Sequence, residues 1–374
     1  MKRRLRSYES LENRVCLTVS ATLDDGGNLL VTGDADGPVE IRALDAETFS
    51  VTDGDVVQEV SGVTGGIRIR IADAEPGDAG DSEAAPAAVG DEIPPADPAN
   101  EDRVLIDLGG ETVDFVFASL GSGDNSLSIR NGRVEGSVHY RGGPHDDALL
   151  LGEAASIGRN LLAHLGHGNN QVTIAGDVGG AAQVHAGRGD DALRIGAEAS
   201  IGRSAVAHLG GGSNSVALAG AVGGSFSVSG GAGDDSVGVA ESATVGHSLI
   251  AQLGGGTNSL ALAGTVDGFL HYAGRDGDDS VAITETGSVG RSALVRLGAG
   301  ENSLLVAGSI GGHLLVGSGN AEGEDAIEIA DDAVGGRTII HYAGPRDGNG
   351  PNNGNAPGND AANARRSARL RGRR

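Results

Sequence analysis

Along most of the chain, apolar and polar positions alternate in short runs separated by glycine-rich breaks. Around Asn214 the run Ala205, Ala207, Leu209 alternates with Val206 and His208, and glycines follow at 210–212. Val216 and Leu218 then alternate with Ser215 and Ala217. Alternation with period two over about five residues, bounded by glycine, predicts a strand with one buried face. Each unit therefore reads as strand, glycine-rich turn, strand, second turn.

The units repeat in two flavours. One phrase runs LGSGDNSLSI, LGHGNNQVTI, LGGGSNSVAL, LGGGTNSLAL and LGAGENSLLV, with Asn125, Asn170, Asn214, Asn258 and Asn302 at a fixed place. Between these lies a second phrase: GGPHDDALLL, AGRGDDALRI, GGAGDDSVGV, GRDGDDSVAI and a looser GNAEGEDAIEI. Asp147, Asp191, Asp235, Asp279 and Asp325 hold the matching place there. Each flavour recurs about every 44 residues, so the structural unit is a coil of about 22. Stacked about 4.8 Å apart, such coils would align like residues in columns. One column runs Leu127, Leu149, Val172, Leu193, Val216, Val237, Leu260, Val281, Leu304, Ile327, and no polar residue interrupts it. The fold expected is all-β: a parallel β-solenoid of about 22-residue coils with alternating Asn and Asp turns. The pattern leaves its handedness open. Ten coils would span roughly 48 Å.

Departures from the pattern set the boundaries. Residues 18–74 read as a degenerate, β-rich start of the solenoid, and 102–343 as its main body. Residues 75–101 are acidic and rich in Pro and Ala, which predicts a disordered insertion. From 344 to 374 apolar periodicity ends in a polar, finally basic tail, which is expected to be disordered.

Composition agrees with a thin layered core, since Gly numbers 66, Trp is absent and aromatics make up 2%. The net charge of −24 argues against nucleic acid as a partner and favours solubility or cation binding. A single cysteine, Cys16, excludes a disulfide framework. No apolar run has the length of a membrane span, and no ordinary signal-peptide core follows the basic start.

Candidate chemistry lies in the turns. The segment GGAGDDSVG, Gly230–Gly238, resembles the calcium-binding nonapeptide GGxGxDxUx of RTX β-rolls. The resemblance implies carboxylates and turn carbonyls gathered around a hard cation. It makes Asp147, Asp191, Asp234, Asp235, Asp278 and Asp279 candidate Ca2+ ligands. The sequence departs from that family in carrying one copy per coil and in placing Asn at alternate anchors. A second reading treats the anchors Asn125, Asn170, Asn214, Asn258 and Asn302 as turn residues forming a hydrogen-bonded ladder. Six residues before the anchors, His164, His185 and His208 follow one another in an outward column. The second turn carries Arg159, Arg203, His247, Arg291 and Arg337, expected to neutralise Glu153, Glu198, Glu241 and Glu285 or to meet an anionic polysaccharide. Every candidate residue belongs to the repeat, and no catalytic grouping stands apart from it, which argues against an enzyme.

Near the start, SLENRVCL resembles the LEPR-XLL segment of large surface and secreted proteins of planctomycete-type bacteria. Leu11, Glu12, Arg14 and Leu17 match, Asn13 replaces the Pro, and Lys2, Arg3, Arg4 and Arg6 lie upstream. The resemblance implies that residues 1–17 are an export-type segment and that the protein is extracellular or on the cell surface. The function expected is a structural or adhesin-like solenoid, with cell-envelope polysaccharide or self-association as partners. The alternative is a polysaccharide-binding or polysaccharide-degrading β-helix.

Overall fold

The computed structural model describes residues 19–35, 37–71, 102–320 and 324–343. The export-type segment, the acidic insertion and the basic tail lie outside these residues. The described chain contains strands and turns and no helix, so no helix long and apolar enough to cross a membrane occurs among the described residues.

The main body is a parallel β-solenoid, as the pattern predicts, but each coil has three strands rather than two. In the coil that begins at Asn214 these are Ser215–Leu218, Ala221–Val222 and Phe226–Gly230. Equivalent strands pair in register from coil to coil, forming a prism of three sheets. In coil order we call them sheets 1, 2 and 3; they contain 14, 10 and 14 strands. Sheet 2 is built from the stretch that alternation marks as the second turn. Its strands are mostly two residues long, yet each buries one β-branched side chain, as Val178, Ile201, Val222, Val245 and Val266 do.

The core is a set of apolar columns. Two come from sheet 1, one from sheet 2 and two from sheet 3, and Val216, Leu218, Val222, Phe226 and Val228 are one coil's share. The repeat alternates between 21 and 23 residues. The longer spacing arises between sheets 1 and 2. There Leu151 pairs with Ile174 and Ser156 with Asp177, leaving the Asp-type coil two residues longer. That excess forms a β-turn in each Asp-type coil, closed for example by Ala155 N–H to Gly152 O at 3.0 Å.

The N-terminal part continues the solenoid only in part. Strands β2 (Leu29–Gly33), β3 (Pro38–Ala43) and β6 (Ile67–Ile71) extend the parallel sheets. Strands β1 (Val19–Leu23), β4 (Thr48–Asp53) and β5 (Val56–Ser61) pair antiparallel. The edges that β2 and β3 would otherwise expose are thereby covered.

Glycine is required where coils approach closely. Gly210 has φ 75°, and a Cβ there would overlap the carbonyl of Gly187 in the preceding coil. Gly210→Ala is expected to destabilise the protein by about 2 kcal/mol, from the left-handed backbone together with this overlap. A thermal melt indistinguishable from the parent would show that the corner is not packed in this way.

Candidate functional site

The anchor residues do not project from the edge of the prism. They fold into the corner between sheets 3 and 1 and form one buried column in which Asp and Asn alternate. Asn125, Asp147, Asn170, Asp191, Asn214, Asp235, Asn258, Asp279 and Asn302 are all at most 3% exposed. Each backbone N–H donates to the side-chain Oδ1 of the anchor in the next coil. The chain of bonds runs from Asp147 to Asn170 (2.9 Å), to Asp191 (2.9 Å), to Asn214 (3.0 Å) and to Asp235 (3.0 Å). It continues through Asn258 and Asp279 to Asn302 with the same geometry.

The two residue types play different parts. Each of Asn170, Asn214, Asn258 and Asn302 also donates from Nδ2 to two shared kinds of acceptor, and Asn258 and Asn302 reach in addition the carbonyl four residues back. One bond goes to the carbonyl two residues back, as in Asn214 to Gly212 at 3.1 Å. The other goes to the carboxylate of the next coil, as in Asn214 to Asp235 Oδ1 at 2.7 Å. Asp191, Asp235, Asp279 and Asp325 therefore each accept at Oδ1 from both the backbone and the amide of the coil before. Alternation supplies an amide donor below every carboxylate and keeps like charges two coils apart, about 9.6 Å.

The second carboxylate oxygen is less well served. Oδ2 of Asp147 accepts the Gly143 N–H at 2.8 Å. Oδ2 of Asp191, Asp235 and Asp279 is buried without a hydrogen-bond partner. At Gly142, Gly230 and Gly274 a Cβ would overlap the Asp side chain five residues on, which opens the next coil, so these glycines make room for the carboxyl. Burial pushes the Asp147 carboxyl up to about 7, against hydrogen bonds from Gly143, Asn125 and Tyr140. Burial likewise raises Asp191 to about 6, and raises Asp235 and Asp279 above the ordinary carboxylate range, each opposed by bonds from the preceding Asn. Each proton taken up by the column neutralises one of its carboxylates.

The acids just before the anchors form a separate outer column. Asp146, Asp190, Asp234 and Asp278 are exposed. Each accepts the N–H of the next coil at Oδ1: from Asn169 at 2.6 Å, and from Ser213, Thr257 and Glu301 at 2.7 Å each. The paired acids of each Asp turn thus separate, one inside the corner and one outside.

This arrangement bears on the calcium reading. A calcium cage needs six to eight oxygens gathered at one point. The inner carboxylates are separated by amide-bearing Asn rungs, and one oxygen of each inner and outer Asp is engaged by N–H donors. Among the described residues no three His, Cys, Asp or Glu side chains converge on one point. The geometry is that of a hydrogen-bonded ladder.

On the outer face of sheet 3, His164, His185 and His208 stack with ring centroids 5.0 and 5.1 Å apart. His208 Nδ1 lies 2.6 Å from the Ser229 hydroxyl. Desolvation and the two flanking imidazoles lower the His185 pKa. Face-to-face rings at this spacing direct their nitrogens alongside one another rather than toward a common point.

The Arg column occupies the corner between sheets 2 and 3, and the Glu residues occupy the turns between sheets 1 and 2. The ion pairs among the described residues include neither column; they join Arg42 to Glu40, Arg68 to Asp24 and Arg133 to Glu135. The neutralisation of neighbouring acids expected from the sequence is therefore not seen among the described residues.

Comparison with known proteins finds no matching family model, no matching curated protein and no matching solved structure.

Proposed function

We propose that the protein is an exported structural element of the cell surface or extracellular matrix, a stiff β-solenoid rod of adhesin or scaffold type. One observation carries this reading: across ten coils the repeat is used up in holding the rod together. The anchors make the ladder, the alternating apolar residues make the core, and the corner glycines allow the coils to stack. Inter-coil hydrogen bonding along three sheets resists bending, the property a spacer or scaffold requires. Export is supported by the resemblance of residues 10–17 to the LEPR-XLL segment.

The test is fractionation of a bacterium of the type that carries such segments, expressing the tagged full chain. Protein that is released or cleaved by protease added to intact cells is the expected result. Retention in the cytosol, with or without residues 1–17, would sink the proposal.

We also propose that the rod folds and stays folded without calcium, because the ladder already engages Oδ1 of each anchor from Asp147 to Asn302. Melting temperatures in millimolar calcium and in excess chelator are expected to agree within about 1 °C, since a ligand that binds neither state shifts neither. A calcium-dependent rise of several degrees would restore the carboxylates as ligands.

A further inference from the structure

Charge on the prism is segregated by corner, and the segregation has a period. In each Asp-type coil the two-residue excess between sheets 1 and 2 forms a β-turn, closed at Ala155, Ala199, Ala243, Gly287 and Ala333. An acid stands at a central position of each turn: Glu153, Glu198, Glu241, Glu285 and Asp331. All five are exposed. The corner between sheets 2 and 3 carries Arg159, Arg203, His247 and Arg291 in the same coils, also exposed, with Arg337 one position on in the last coil.

Backbone bonds place this second column on one line. Gly180 donates to Arg159, Arg203 to Gly180, Gly224 to Arg203 and His247 to Gly224, at 2.6 to 3.1 Å. Glycine therefore separates the cationic side chains, which recur every second coil, about 9.6 Å. The acids of this corner are few: Glu135, which is paired with Arg133 at 3.0 Å, Asp114 and Asp267. One coil in two thus offers an acid at one corner and a base at the next, and no ion pair among the described residues involves either column, while Arg291 lies over the Phe269 ring at 5.4 Å.

We propose that this surface docks a second copy of the same chain, the basic corner of one rod lying along the acidic turns of its neighbour, parallel and in register. A sideways translation with no axial shift sets Arg159 against Glu153, Arg203 against Glu198, His247 against Glu241, Arg291 against Glu285 and Arg337 against Asp331. Both columns ride on the same coils, so one registration satisfies all five rungs. Any other polyanion must match the spacing by its own chemistry. The contact is heterologous and leaves a free corner of each sign, so it propagates into rows rather than closing. Single exposed ion pairs contribute little, and the array acts through repetition along a rigid template. The inference rests on the rod geometry and is independent of export.

The experiment is sedimentation velocity of the purified full chain over a range of concentrations at about 20 mM and about 500 mM salt, where screening differs severalfold. Concentration-dependent growth at low salt, reversed at high salt, is expected. Arg159→Glu with Arg203→Glu and Arg291→Glu should remain monomeric. So should Glu153→Arg with Glu198→Arg and Glu285→Arg. An equimolar mixture of the two variants should associate, because one then presents two acidic corners and the other two basic corners. Circular dichroism melts check that both remain folded, and Arg→Gln versions at the same three positions provide a gentler second set.

A wild-type chain that stays monomeric at low salt overturns the proposal, as does either variant assembling alone or a mixture that stays monomeric. Retention of a monomeric wild type on immobilised polygalacturonate, lost in the Arg→Glu variant, would assign the basic corner to an acidic polysaccharide instead.

Discussion

Asn214→Asp is expected to be among the most damaging single substitutions in the chain, although it changes one atom and adds no volume. It removes the Nδ2 donor that reaches Gly212 O at 3.1 Å and Asp235 Oδ1 at 2.7 Å. It also sets three carboxylates, at 191, 214 and 235, on successive rungs of a column that is at most 3% exposed. Unpaired buried charge and lost donors together predict a loss of about 3 kcal/mol at pH 8. The loss should shrink toward pH 5 as the column takes up protons. Ser213→Asp is the control: it adds the same charge one residue earlier, on the outer column, and should move stability by less than about 0.5 kcal/mol. Denaturant unfolding of the two variants side by side checks the pair. Equal effects would mean that the inner column is not buried.

The converse change should stabilise. Replacing Asp191, Asp235 and Asp279 together by Asn removes three carboxylates whose Oδ2 atoms are buried without partners. A gain of about 2 kcal/mol or more at pH 8, or roughly 5 °C in melting temperature, is expected. The pH dependence should change as well. Burial holds these carboxyls above their unfolded range, Asp191 at about 6, so between about pH 4 and those raised values the folded chain binds more protons than the unfolded chain. Parent stability should therefore rise as pH falls from 8 to 5. His185 and His271, lowered chiefly by desolvation, act in the opposite direction in acid, but they are present in both proteins. The triple variant should retain only the part of the acid stabilisation due to Asp147, the carboxyl raised to about 7. Melting curves of parent and variant at several pH values read both effects. A variant less stable than the parent at pH 8 would mean that the carboxylates are needed as charges.

Much of this was legible in the sequence, for physical reasons. Stacked coils impose the same environment on equivalent residues, so apolar columns such as Val216 and Leu218 announce themselves by period. The third sheet was missed because Ala221–Val222 is too short to alternate. The available signal was the single β-branched residue recurring inside the glycine-rich stretch. The antiparallel N-terminal strands also had a marker, since Gly54 and Asp55 form a two-residue connection between β4 and β5 and Gly54 has φ 55°. At the candidate site, sequence located the anchors but not their burial. Asp234 and Asp235 are chemically identical neighbours, and only the fold sends one outward and the other into the corner. Gly230 and Gly274, five residues before Asp235 and Asp279, were the trace of that difference. Sequence proximity also suggested neutralisation of Glu153 by Arg159, yet the two flank a strand of sheet 2 at different corners and form no ion pair among the described residues.

The most direct test of the ladder is a carbon NMR titration of the aspartate carboxyls in the intact protein, assigned by single Asp→Asn variants. Asp191, Asp235 and Asp279 should titrate above the ordinary carboxylate range, Asp191 at about 6. These three carboxyls titrating at ordinary values would contradict a buried Asp/Asn column and the account built on it.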